Sequence, residues 1–112
     1  MGTTGQKCIE WAAGLFEGEG SLYLNAATGQ WVMRVKMTDH DVVKDFFKTV
    51  DYWGHFRENK RMPSMKPHHK TVHIWELFKR DYIFELVMNF YPYMYARRQK
   101  KMREFMAWYF TK

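Results

Sequence analysis

The sequence predicts an α+β domain of order α-β-β-α-β-β-α with a further C-terminal helix. Its four strands form one antiparallel, saddle-like sheet with helices on one face. Three observations carry this reading. Two adjacent stretches alternate apolar and polar residues and are joined by "AATGQ", as in a hairpin with one buried face. A helical periodicity follows in "TDHDVVKDFFKTV", and the hairpin-then-helix pattern recurs in the second half. At 112 residues, 46% apolar and with three prolines, the chain has the size and composition of a single domain, 1–112, with no linker or low-complexity segment.

In order, Thr4 to Phe16 carry helical spacing at Cys8, Trp11, Ala12 and Leu15, with Thr3 or Thr4 as cap. Ser21 to Ala26 alternate, Leu22 and Leu24 on one side and Ser21, Tyr23 and Asn25 on the other. After the turn, Trp31, Met33, Val35 and Met37 share one face, and Gln30, Val32, Arg34 and Lys36 share the other. Thr38 with Asp41 three residues later reads as a capping pattern ahead of Val42, Val43, Phe46, Phe47 and Val50. Tyr52 to Glu58 fit a third strand and Lys70 to Phe78 a fourth, separated by the aperiodic loop "NKRMPSMKPHH". "RDYIFELVMNFY" reads as helical, and Pro92 opens the last helix.

The net charge of +6 favours a polyanionic partner, nucleic acid before anionic membrane. No apolar run approaches the ~18 residues of a membrane span, and "MGTTGQKCIEW" is too polar for a signal peptide. Both favour a cytoplasmic setting, in a bacterial or phage-infected cell rather than an organelle. One cysteine, Cys8, excludes an internal disulfide and fits a reducing compartment. His69 and His73 are four apart, but in a strand that separates them by ~13 Å, and they read as surface or phosphate-side histidines.

The cations cluster. Arg57, Lys60, Arg61, Lys66 and Lys70 face Glu58 alone, and Arg97, Arg98, Lys100, Lys101 and Arg103 on the final helix face only Glu104. Either cluster reads equally as a solvated surface. The sheet adds Arg34 and Lys36 on one face with Asn25 and Gln30, side-chain types that grip phosphates or read base edges. A twisted β-ribbon of that width enters a major groove. The candidate DNA-contacting set is therefore Ser21, Tyr23, Asn25, Gln30, Val32, Arg34, Lys36, His55, Arg57, Asn59, Lys60, Arg61, Lys66 and Lys70.

Against this basic background, "FEGEG" sets Glu17 and Glu19 between glycines, where a helix gives way to a strand. Gly18 and Gly20 allow a sharp turn there, and the small residues Ala12, Ala13 and Gly14 before it allow close packing on a second copy. Two readings of the acids fit: exposed turn residues, or a seat for Mg²⁺, which binds through one or two carboxylates and keeps positions for water and phosphate.

"AAGLFEGEG" (Ala12 to Gly20) resembles the motif that names the LAGLIDADG homing endonucleases, with Leu replaced by Ala at its first position and both Asp by Glu. "VKMTDHDVV", "YWGHFRENKR", "VHIWEL" and "YPYMYARRQKK" fall where that family has the end of its second strand, its third and fourth strands, and its final basic helix, so the similarity covers nearly the whole chain. The resemblance implies site-specific cleavage of double-stranded DNA with Mg²⁺, Mn²⁺ substituting and Ca²⁺ binding without cleavage. It implies Glu19 and the Gly18 carbonyl as metal ligands, and Glu17 as a structural acid at the helix ends. Asp39 would order the attacking water, and Arg97 or Arg98 would act beside the cleaved phosphate. The pattern departs at Val43, where the family often carries an active-site cation and only Lys44 stands near. A single motif implies a homodimer, joined through Ala12, Ala13, Gly14 and Glu17. Such a dimer cuts long, nearly palindromic sites across the minor groove, leaves 3′ overhangs and serves intron or intein mobility. Two other classes fit the same residues: a non-cleaving module on this fold, as an intron RNA maturase or DNA-binding regulator, and a basic protein that adheres to RNA or membrane without specificity.

Overall fold

The computed structural model describes residues 7–59 and 71–111. The expected caps Thr3 and Thr4, the loop residues Lys60, Arg61, Lys66 and His69, and Lys70 lie outside the described residues. Helix α1 (Ile9–Glu19) leads into strands β1 (Gly20–Asn25) and β2 (Gln30–Met37). Helix α2 (His40–Thr49), strands β3 (His55–Asn59) and β4 (Val72–Leu77), helix α3 (Arg80–Phe90) and helix α4 (Ala96–Phe110) follow. The sheet is antiparallel, ordered β1-β2-β4-β3, so the last strand inserts between two earlier ones and takes a central place. Element order and fold class match the sequence pattern.

Alternation explains the layers. Leu22, Trp31, Met33, Val35, Trp75 and Leu77 point to one face and meet Phe16, Phe46, Phe90 and Phe105 from the helices. Phe46 stands edge-on to Trp75 at 4.8 Å and Trp31 edge-on to Phe105 at 5.6 Å, the offset geometry that aromatic quadrupoles favour. Among the described residues, no helix is long and apolar enough to cross a membrane.

Several boundaries differ from expectation, each for a local reason. Helix α1 does not stop at Phe16 but runs through Glu17, Gly18 and Glu19, so the acidic segment is a last helical turn and not a loop. Gly20 has ordinary extended angles (φ −87°, ψ 169°). Its lack of a side chain serves packing, because a Cβ there would overlap the Phe16 ring. Residues 51 and 52 form a left-handed turn (φ 59° and 60°), which delays β3 to His55. Gly54 follows at φ 96°, where a Cβ would lie 2.5 Å from the Glu76 carbonyl oxygen. The N-cap of α2 is Asp39, not Thr38, and no side-chain cap bond forms. Pro92 belongs to a single 3₁₀ turn (Tyr91–Tyr93), and α4 starts afresh at Ala96.

Candidate nucleic-acid interface and acidic helix end

The strand registers decide which side chains share the outer face of the sheet. Ser21 pairs with Arg34, Tyr23 with Val32 and Asn25 with Gln30. Arg34 pairs with Glu76 and Lys36 with Ile74. On the far side, His55 pairs with Glu76, Arg57 with Ile74 and Asn59 with Val72. Because side chains alternate along a strand, every described residue of the candidate DNA-contacting set lies on this one face, away from the helices. Gln30, Lys36, His55, Arg57 and Asn59 are exposed; Ser21, Tyr23, Asn25 and Arg34 are half-buried.

Val32 is the exception within the set. It is only 2% exposed, packed level with the face by its neighbours, so it fills the floor and cannot itself reach a base. Asn25 is partly committed, since its Oδ1 accepts the Ala27 N–H at 3.0 Å in the hairpin turn. Its amide donors remain.

The face also holds a residue that the charge pattern did not single out. Glu76, on central strand β4, is 7% exposed. Its Oε2 accepts Nε and Nη2 of Arg34 at 3.1 and 2.7 Å, and its Oε1 accepts Nε and Nη2 of Arg57 at 3.3 and 3.2 Å. Burial pushes the Glu76 carboxyl up, but the hydrogen bonds and charges of the two arginines outweigh it and hold it below the usual carboxylate range. The signal available in "VHIWEL" was the phase of Glu76, alternate with Trp75 and Leu77; the register that aligns it with Arg34 was not available.

At the end of the sheet where β1 begins, the two acids of the motif separate. Residues two apart on a helix point about 200° apart, so Glu17 and Glu19 leave α1 on opposite sides. Glu17 turns to α4: its Oε1 accepts the Tyr95 backbone N–H at 3.1 Å and lies 3.9 Å from Arg98 Nε. Arg98 Nε also donates to the Glu17 carbonyl at 2.8 Å, and its guanidinium lies over the Phe16 ring. Burial and then the adjacent Arg97 charge lower the Arg98 pKa, opposed by Glu17. Arg97 and Arg98 are thereby distinguished. Both line the hollow shared with Ser21, Leu22 and Lys101, but Arg98 is a half-buried strut joining two helices, whereas Arg97 is exposed.

Glu19 is exposed and, among the described residues, makes no hydrogen bond or ion pair. It sits at the C-terminus of α1, where helix carbonyls lack intrahelical partners and the macrodipole favours a cation. The Phe16 carbonyl takes the Gly20 N–H and the Glu17 carbonyl takes Arg98, so the Gly18 and Glu19 carbonyls are the ones left at the helix end. A free carboxylate beside helix-end carbonyls fits a hard cation that retains water and phosphate ligands. Among the described residues, no group of three or more His, Cys, Asp or Glu is placed to hold a metal. Asp39 leaves the same end of the sheet, two residues beyond Met37, and is exposed.

Other site expectations change. Ala12 and Ala13 are 0% exposed within the chain's own core and cannot form a seam with a second copy. The free face of α1 carries Gly14 and Gly18, flanked by half-buried Trp11 and Leu15. Val43 is fully buried, so that position holds the core, while Lys44 beside it is exposed. His73 is not a surface histidine. It is 8% exposed on the helix side of the sheet, its ring 5.0 Å from that of His40 and its Nδ1 4.0 Å from Glu58.

No protein-family model matches the chain, and no curated protein matches it. Solved structures do. The crystal structure of the homing endonuclease I-TnaI superposes over 88% of this chain and 69% of its own, with a TM-score of 0.64 at 20% identity. This is the LAGLIDADG homing-endonuclease fold. The group I intron-encoded homing endonuclease I-CeuI, solved in complex with DNA, matches over 88% of this chain and 52% of its own, at TM-score 0.60 and 20% identity. The archaeal intron-encoded homing endonuclease I-Vdi141I, also complexed with DNA, matches over 88% and 62%, at TM-score 0.56 and 14% identity. The chain thus spans between about half and two thirds of the length of these homing endonucleases, and at such identities the likeness is one of fold.

Proposed function

We propose that the chain is a site-specific DNA endonuclease that acts as a homodimer with Mg²⁺. The observation that carries this reading is the placement of every described DNA-contact candidate on one outer sheet face, in a fold shared with homing endonucleases solved on DNA. That face takes the duplex, with Lys36, Gln30, His55 and Asn59 exposed towards the groove and Val32 with Ile74 as its apolar floor. Glu19 and the Gly18 carbonyl would hold the metal, which when bound supplies charge neutralisation at the scissile phosphate. Asp39, whose carboxylate makes no cap bond, orders the attacking water and receives its proton. Arg97 stabilises the charge that develops on the phosphate.

One chain offers one such acid, and two strands require two. A Cβ at Gly14 or Gly18 would meet nothing within 4 Å, although each glycine in a helix interior costs about 1 kcal/mol relative to alanine. Among the described residues nothing requires them, which supports close approach by a second α1 at this face. Two-fold symmetry then asks for a nearly palindromic site. The test is to incubate the protein with a randomised duplex pool and Mg²⁺ and to sequence what is cut. A nearly palindromic consensus, lost in EDTA, is expected; no cleaved species with Mg²⁺ or Mn²⁺ would refute the reading.

A further inference from the structure

A carboxylate is a poor choice for the middle of a surface that meets a polyanion. It is also a poor choice for stability, since a buried ion pair is often matched or bettered by well-packed apolar residues. The same face shows that alternative in the rows on either side, where Val32 in one and Ile74 in the other are each 2% exposed. Glu76 therefore needs another reason to stand between Arg34 and Arg57.

The geometry supplies one. Each carboxylate oxygen takes one arginine, and each arginine presents the same edge, Nε with Nη2. For Arg57 the other end is also engaged, because Nη1 donates to Asn59 Oδ1 at 3.0 Å. For Arg34 it is not: among the described residues Nη1 has no partner, while the guanidinium lies 5.7 Å from the Tyr23 ring centre. The plane of Arg34 is fixed along one edge and its tip, Nη1 with the second hydrogen of Nη2, is free. That tip is the fork that donates to O6 and N7 of guanine in a major groove. An untethered arginine of the same charge would turn equally well to a phosphate, which carries no sequence information.

We propose that Glu76 is a specificity-determining positioning residue, which clamps Arg34 for guanine readout and withholds both arginines from the phosphate backbone. This rests on the DNA-binding reading above. It predicts that removing an acid from the DNA face makes the protein bind DNA more tightly and less selectively.

The experiment uses full-length protein, Ca²⁺ to hold binding without cleavage, a duplex that the wild type selects from a randomised pool, and all its single-base-pair variants. In Glu76→Gln, discrimination at one G·C pair per half-site should fall by about tenfold. Affinity for an unrelated duplex should rise, and the slope of log K against log salt should steepen by about one unit per protomer for each arginine released. Arg34→Lys keeps the charge but lacks the fork and leaves Glu76 in place. It should lose the same base-pair preference with the salt slope unchanged, and it serves where Glu76→Gln folds poorly. Full discrimination in either variant, or an equal loss of affinity for every duplex in Glu76→Gln, would overturn the role of Glu76 while leaving DNA binding intact. A wild type with no preference among duplexes would overturn the DNA reading and this one with it.

Discussion

Replacing Glu17 tests whether the first acid of the motif acts on structure. In Glu17→Gln the carboxylate that accepts the Tyr95 N–H and faces Arg98 becomes a neutral amide. Three effects follow. A negative group at the start of α4 is lost, about 0.3–1 kcal/mol. The bond to Tyr95 falls from charge-assisted to neutral, about 1 kcal/mol. Arg98, whose side chain is 12% exposed, keeps the Glu17 carbonyl but loses its counter-charge. Because one carboxylate supplies all three, they overlap, and the total is about 1–2 kcal/mol. For a domain of this size that is a fall in Tm of about 4–8 °C. The assay is thermal unfolding by circular dichroism at fixed protein concentration, without DNA and in EDTA, with Glu19→Gln alongside. Glu19, exposed and unpartnered among the described residues, should unfold with the wild type. A Tm for Glu17→Gln indistinguishable from wild type, or an equal fall in Glu19→Gln, would refute the division of labour between the two acids.

Gly20→Ala should lower stability by about 1–3 kcal/mol through overlap with the buried Phe16 ring, read from the urea midpoint; an unchanged midpoint would refute the packing reason for this glycine. Gly14→Leu places its side chain in open space on the chain's own surface, so light scattering should show loss of the proposed dimer while helix content by circular dichroism is kept. Glu76→Gln should destabilise by about 2–3 kcal/mol at pH 7, the low side for a broken buried pair because Arg34 and Arg57 are 32% and 46% exposed. Since the folded carboxyl is held below its ordinary value, that contribution is whole above the ordinary value and is lost as pH falls through the depressed one. The gap between wild type and variant should therefore hold from pH 7 down to the ordinary carboxylate range of about 4–5 and narrow only below it; a gap that widens on acidification would contradict the assignment.

Alternation was the most legible signal. The phase of Gln30 to Met37 placed Arg34 and Lys36 outside and Trp31, Met33 and Val35 inside, because a strand has one register of faces. It could not show that Val32 is roofed by its neighbours, since burial on an otherwise polar face depends on cross-strand partners. Helix phase was less decisive at α1. Small residues suit either a core or a seam, and Ala12 and Ala13 went to the core while Gly14 stayed outside. The glycines at 18 and 20 suggested a turn, but tertiary packing extended the helix through Gly18, and Gly20 answers to Phe16 rather than to backbone freedom. Arg97 and Arg98 were inseparable in sequence because only the approach of α1 to the start of α4 tells them apart. Glu76 was hidden for the same reason, its meaning residing in a register across three strands.

Whether Glu19 seats the metal for DNA cleavage, as proposed, is decided by comparing wild type with Glu19→Gln. Wild type and Glu19→Gln are given the same selected duplex, binding is measured in Ca²⁺, and nicking and double-strand cleavage are followed as Mg²⁺ is varied. The amide keeps the shape of the side chain but removes the charge proposed to hold the cation, and losing an acid from a surface that meets a polyanion does not weaken binding. Glu19→Gln should therefore bind the duplex at least as tightly as wild type and cut neither strand. Full cleavage by Glu19→Gln, or cleavage by wild type in EDTA, would rule out Glu19 as the metal seat.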